Sequence, residues 1–165
     1  MRKTKGIVVY DTTYGNTRQI AEIIAATLNL SGIEADLLSI EAVKKLSPDE
    51  YYFMVLGSPT KFGTMSLAFR LFLGKIKGEE WDSRPFAAFD TENPENIERS
   101  KAENKDWSAA EKISLKLKDK KMNQVLPVFR AAVTGQKGPL LSGEIERARD
   151  YAIELATKLK ENVPV

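Results

Sequence analysis

The chain has 165 residues, 42% hydrophobic and 29% charged, which suits one compact domain built around one core. It contains no cysteine and no histidine, so disulfides, thiolate-held clusters, cysteine nucleophiles, histidine metal sites and histidine general bases are excluded. Redox chemistry here needs an organic cofactor without a thiol link, or a carboxylate-bound metal; the formal charge of +2 is too weak a bias to argue for nucleic acid.

The start, Met1-Arg2-Lys3-Thr4-Lys5, is basic, but the apolar run after it is too short for a secretory core of about 7–15 residues. No apolar run approaches the roughly 20 residues of a membrane span, so the expectation is a cytoplasmic protein without one. Ile7-Val8-Val9-Tyr10 reads as a strand buried on both faces. Asn16 to Asn29 reads as a helix, with Ile20, Ile24 and Leu28 on one stripe and Ser31-Gly32 as its stop. Glu34 to Ile40 alternates loosely, as a strand nearer an edge would. Tyr52 to Leu56 is a second buried strand. Met65, Phe69, Phe72 and Ile76 then give a helical stripe that ends at Lys77-Gly78. Trp81 reads as a partly buried loop aromatic, and Pro85 to Phe89 as a third central strand.

Thr91 to Asp106 is polar and predicts a long loop or lid. Trp107 to Lys121 predicts a helix through Ala110, Ile113 and Leu117. Its Lys116, Lys118, Lys120 and Lys121 suit a solvated C-terminal end, or a patch for an acidic partner. Val125 to Val133 is the last strand, and Pro127 and Arg130 within it suit an edge. Ile145, Ala148, Ala152, Leu155 and Leu159 line a final helix. With no repeat and no internal linker, residues 1–165 read as a single α/β domain, a parallel sheet with helices on both faces. In such sheets ligands bind beyond the carboxyl ends of the strands, where the strand order reverses. The candidate loops therefore follow Tyr10, Leu56, Phe89 and Val133.

The first loop is Asp11-Thr12-Thr13-Tyr14-Gly15-Asn16-Thr17. Thr12, Thr13 and Thr17 offer hydroxyls, Asn16 offers an amide, and Gly15 lets the backbone turn its N–H groups inward. The helix that follows adds free N–H groups and a partial positive charge, so the loop can hold a dianion without lysine or arginine. One hydroxyl would make an ordinary helix cap; four donors within six residues exceed that need. Neither GxxxxGK[ST] nor GxGxxG is present.

Thr12-x-Tyr14-Gly15-Asn16-Thr17 resembles the flavodoxin phosphate loop, [ST]-x-T-G-x-T, with Tyr14 where that pattern has threonine and one hydroxyl fewer as a result. Tyrosine before glycine is similar to the flavodoxin domains of flavodiiron proteins and to quinone oxidoreductases of the tryptophan-repressor-binding-protein type. The resemblance implies a flavodoxin-like three-layer sandwich with a five-stranded parallel sheet in order 2-1-3-4-5, and FMN held without a covalent link.

Gly57-Ser58-Pro59-Thr60 also resembles the flavodoxin family, and Lys61-Phe62-Gly63-Thr64-Met65 resembles the quinone oxidoreductases more closely. In that reading Pro59 stiffens the loop and Thr60 bonds the polar edge of the flavin. Lys61 lies near its pyrimidine end, Phe62 packs on the ring and Gly63 allows close approach near N5. The alternative is a tight turn with Phe62 in the core.

At the third loop Asp90, Thr91 and Glu92 stand where flavodoxins usually supply glycines and an aromatic. The two acids either face the flavin or are solvated carboxylates. Phe62, Phe89 and Trp107 are the candidates for the stacking aromatic. Thr134 to Leu140, glycine-rich, is expected near the same crevice without a defined role. The resemblance implies electron transfer between redox partners. The alternatives are reduction of small quinones by NAD(P)H or a module that has lost FMN; the missing histidine and third-loop glycines count against the quinone enzyme.

Overall fold

Ile7, Val8 and Val9 are fully buried, and the strand they form, β1 (Gly6–Tyr10), lies in the interior of the sheet. The structure is a computed structural model that describes residues 4–162, so Met1, Arg2 and Lys3 of the basic start lie outside the described residues. β1 pairs in parallel with β2 (Ala35–Ser39) on one side and with β3 (Phe53–Pro59) on the other. β3 pairs with β4 (Pro85–Glu92), again in parallel. The fifth position is shared by two short pieces: β5 (Asn123–Gln124) runs beside the start of β4 and β6 (Phe129–Ala132) beside its end. The expected order 2-1-3-4-5 is the one observed.

Successive strand residues point to opposite faces, and this sorts the core into two layers. Ile7, Val9, Met54, Leu56, Phe86 and Ala88 pack under α2 (Leu67–Gly74) and α5 (Ala109–Asp119). Val8, Val55, Ala87 and Phe89 pack under α1 (Asn16–Leu30) and α6 (Glu144–Asn162). Full burial of one such side chain contributes about 1.5–3 kcal/mol. Gly57 is required by this packing, because a Cβ there would stand 2.1 Å from the buried Phe89 ring.

Four expectations are corrected. The polar stretch from Thr91 is no open loop or lid: β4 continues through Glu92, and α4 (Pro94–Ala102) follows at once. Asn93 caps that helix by accepting the Glu95 N–H, and Pro94 occupies its first turn, where a missing N–H costs nothing. The helix was hidden because only Ser100 on it is buried, so it has no apolar stripe.

The last strand is broken at residues 125–128, where Pro127 has no N–H to give a ladder. Trp81 is fully buried in the short α3 (Gly78–Trp81) and is part of the core. Lys120 is not simply solvated, since its Nζ donates to the Ile76 carbonyl at 2.7 Å. Among the described residues no helix is long and apolar enough to cross a membrane.

Candidate functional site

The carboxyl ends of β1, β3, β4 and β6 open into a cleft of about 380 Å³, within the usual range of roughly 300–1,000 Å³ for small-molecule sites. Thr12, Thr13, Tyr14, Asn16 and Thr17 form one wall, and Pro59, Thr60, Lys61 and Phe62 the opposite one. Thr91, Glu92 and Asn93 close the floor, and Val133, Gly135 and Gln136 bring the last loop to the rim. Gly15, Gly63 and Asp90 stand behind this lining. The glycine-rich run from Thr134, expected near this crevice, reaches it through Gly135 and Gln136, and Glu92, one of the two acids expected either to face the flavin or to be solvated, lies in the lining; Asn93 was not assigned to the cleft by sequence.

The first loop folds on itself. Thr12 Oγ1 accepts the Gly15 N–H at 2.9 Å, and Asp11 Oδ1 accepts the Thr12 N–H at 2.9 Å. Gly15, at φ 92, turns the chain into α1, a conformation that favours glycine. No side chain caps α1 among the described residues, and no acid lies in its first turn. By contrast α2, α4 and α5 are capped by Ser66, Asn93 and Ser108. The N-terminus of α1 therefore meets the cleft with open N–H groups and a partial positive charge. Asn16 is held from outside by a hydrogen bond from its Nδ2 to the Lys137 carbonyl, 3.1 Å. Thr17 Oγ1 shares a buried 2.7 Å hydrogen bond with Thr91 Oγ1.

The second loop turns tightly between Lys61 and Thr64, whose backbones exchange hydrogen bonds of 2.9 and 3.1 Å. Both central residues have positive φ, 52° at Phe62 and 76° at Gly63, the pattern of a type I′ turn. Phe62 is strained there, and its ring is fully exposed at the cleft rim rather than packed in the core. Lys61 reaches across the cleft, its Nζ donating to Thr13 Oγ1 at 3.0 Å. The cation thus stands at the first loop in this structure.

Thr60 does not present its hydroxyl proton to the cleft. Its Oγ1 accepts the Ala109 N–H at 2.8 Å and donates to Asp90 Oδ2 at 3.2 Å. Asp90 and Glu92 are not solvated loop carboxylates; both lie buried in β4. Glu92 is bound by Arg130, and Asp90 accepts the Ala110 N–H at 3.0 Å. Burial, and then the neighbouring Glu92 charge, push the Asp90 carboxyl well above its ordinary range; the Ala110 N–H and Arg130 oppose the shift. Of the three candidate aromatics, Phe89 is buried beneath Gly57, Trp107 is half-buried beside Gly63, and Phe62 is free.

Comparison with known proteins agrees with this fold. Residues 7–141 match the sequence family described as Flavodoxin domain. A flavodoxin from Aquifex aeolicus (strain VF5) is 32% identical over 78 residues, which cover 47% of this chain and 42% of that one. Protoporphyrinogen IX dehydrogenase [quinone] from Escherichia coli (strain K12) is 30% identical over 71 residues, covering 43% and 39%. The matched stretch thus spans about two-fifths of these relatives' length. Among solved structures, a flavodoxin from the domain Archaea superposes with a TM-score of 0.76 at 24% identity, over 94% of this chain and 99% of that one.

Proposed function

This chain belongs to the flavodoxin domain family, and from that premise we propose that its cleft binds FMN and passes electrons between redox partners. The observation that carries the proposal is the uncapped N-terminus of α1, set among Thr12, Thr13 and Thr17 at the carboxyl end of β1. An anion placed there meets backbone donors that no protein acceptor occupies among the described residues, whereas α2, α4 and α5 are capped by the side chains of Ser66, Asn93 and Ser108. The phosphate would rest on the loop from Thr12 to Thr17, with Lys61 able to add its charge from the opposite wall.

The ring would lie between Tyr14 and the Lys61–Thr64 turn, where Phe62 offers an exposed aromatic face. When bound, FMN supplies an acceptor for one or two electrons; the protein orients it and excludes water from one side. Pro59 and Thr91 line the cleft, and Gly63 supports the Lys61–Thr64 turn from behind. Asp90 and Thr60 act from beneath, since the hydroxyl of Thr60 is turned inward.

The test is titration with FMN and with riboflavin. FMN should bind more tightly, and Thr12→Ala and Thr17→Ala should each weaken FMN by about 1–3 kcal/mol, the range for a hydrogen bond to a charged group, while leaving riboflavin nearly unchanged. Equal affinity for the two ligands refutes the phosphate assignment. Purified protein that stays colourless and does not quench added FMN would mean the cofactor has been lost. The second reading, a quinone reductase, is favoured by the similarity to the Escherichia coli dehydrogenase. Turnover of NADPH with a benzoquinone, without any protein partner, would decide for it.

A further inference from the structure

Asp90 and Glu92 alternate along β4 and so share one face of the sheet. They are 0% and 3% exposed, and Arg130, which stands in register with Asp90 on β6, is 8% exposed. The guanidinium spends itself on Glu92: Nε and Nη2 donate to the two carboxylate oxygens at 2.7 Å each, and Nη2 donates also to Ser100 Oγ at 2.8 Å. Asn96 Nδ2 adds a further bond to Glu92 at 2.7 Å. Glu92 is thereby paired directly, whereas Asp90 has no hydrogen bond from the guanidinium and feels its charge only through space.

Asp90 receives only neutral donors, the Thr60 hydroxyl and the Ala110 N–H, both on Oδ2; its Oδ1 is buried without a hydrogen-bond partner. Around the cluster, Glu111 on α5 acts on Arg130, while Lys101 of α4 and Arg147 of α6 stand on the outer side of that arginine. Two buried acids against one buried cation leave a net negative charge if both ionise. An uncompensated charge in such a place costs several kcal/mol, which one proton removes.

We propose that the Asp90–Glu92 pair holds one proton at neutral pH, on Oδ1 of Asp90, and that this is a redox-linked proton site for the cleft. The redox link rests on the flavin reading above; the proton does not. Glu92 and Thr60 both line the cleft, and the Thr60 hydroxyl connects its wall directly to Asp90. An electron added in the cleft makes its floor more negative and tightens the hold on the proton, and by linkage the held proton favours the added electron. Between the pH at which the oxidised protein loses this proton and the higher pH at which the reduced protein does, each electron taken from a one-electron donor is matched by one proton taken from solvent onto Asp90. Both are returned on re-oxidation.

Carbon NMR of flavin-free protein labelled at the aspartate carboxyls tests the first half. One resonance should sit at the protonated position at pH 7 and vanish in Asp90→Asn, which keeps the shape and the acceptor oxygen. If that variant does not fold, Thr60→Val should shift the same resonance by removing its donor. If every aspartate is ionised at pH 7, the proton site is refuted. The second half is read from the reduction potential of FMN-loaded protein against pH. The wild type should fall more steeply than Asp90→Asn in the alkaline range, and parallel lines overturn the redox link. Failure to bind FMN would defeat the functional reading and leave the NMR result standing on its own.

Discussion

Replacing Arg130 with methionine should be among the most damaging single changes near the cleft. The guanidinium is buried and holds Glu92 with two bonds of 2.7 Å and Ser100 with one of 2.8 Å. Arg130→Met leaves two buried acids with no cation between them. Removing one partner of a buried pair costs about 3–5 kcal/mol, against a total stability of about 5–15 kcal/mol for a domain. The loss must depend on pH. Without the guanidinium the native pair binds more protons than the unfolded chain, whose carboxyls titrate near ~4. A group whose folded pKa is raised gives its stability below the unfolded pKa and loses it as pH rises. The deficit should therefore shrink toward mildly acidic pH, by up to about 1.4 kcal/mol per unit for each proton. Urea unfolding followed by tryptophan fluorescence, from about pH 5 to about pH 8, measures this directly. The double change Glu92→Met with Arg130→Met should recover most of the loss, because an apolar pair needs no compensation. A deficit below about 1 kcal/mol, or one that is flat with pH, would refute the reasoning.

Gly57→Ala should cost at least the roughly 1–3 kcal/mol of an overpacked core, because its Cβ would stand 2.1 Å from a ring that is fully buried; an unfolding midpoint equal to wild type would contradict the packing described. Phe62→Asn should stabilise the flavin-free protein by up to about 1–2 kcal/mol, since asparagine tolerates the positive φ of 52° that phenylalanine does not. The same change should weaken FMN binding, and a lower melting temperature would argue against strain in the turn. Ser108→Ala should cost about 1 kcal/mol through loss of the 3.0 Å cap to the Glu111 N–H, read by urea unfolding.

The sheet was legible because its strands are buried on both faces and so appear as unbroken apolar runs, Ile7 to Val9 and Phe53 to Leu56 above all. The long helices were legible because one face of each is apolar, as with Ile20, Ile24 and Leu28. The same logic failed at α4, which buries one serine and is held by a cap and a proline rather than a stripe. It failed again at Asp90 and Glu92, where polar residues continue a strand because partners 38 and 20 residues away in sequence satisfy them. A local pattern cannot show that Arg130 reaches Glu92, or that the α5 N-terminus reaches Asp90. The two loops of the cleft were recognisable from their residue types, but the inward turn of the Thr60 hydroxyl depends on Ala109 and could not be read from its own loop.

Three helices begin beside the cleft, α1, α4 and α5; the Asn93 side chain caps α4, and the difference between the other two bears on where an anion would bind. In α5 the first-turn donors are all consumed: the Ala109 N–H by Thr60, the Ala110 N–H by Asp90 and the Glu111 N–H by Ser108. An arriving phosphate would have to displace a buried carboxyl and a buried hydroxyl there. In α1 the corresponding turn has no side-chain cap and no acid, and Thr12 is occupied only in closing its own loop. The field at both helix ends is the same in kind, so the dipole cannot choose between them. The choice is made by which donors the fold leaves unspent. The Asp90 carboxyl is one reason that the α5 end is closed. If an anion binds in this cleft, the acid proposed to hold the proton beneath it is thus also a reason for that anion to take the α1 wall.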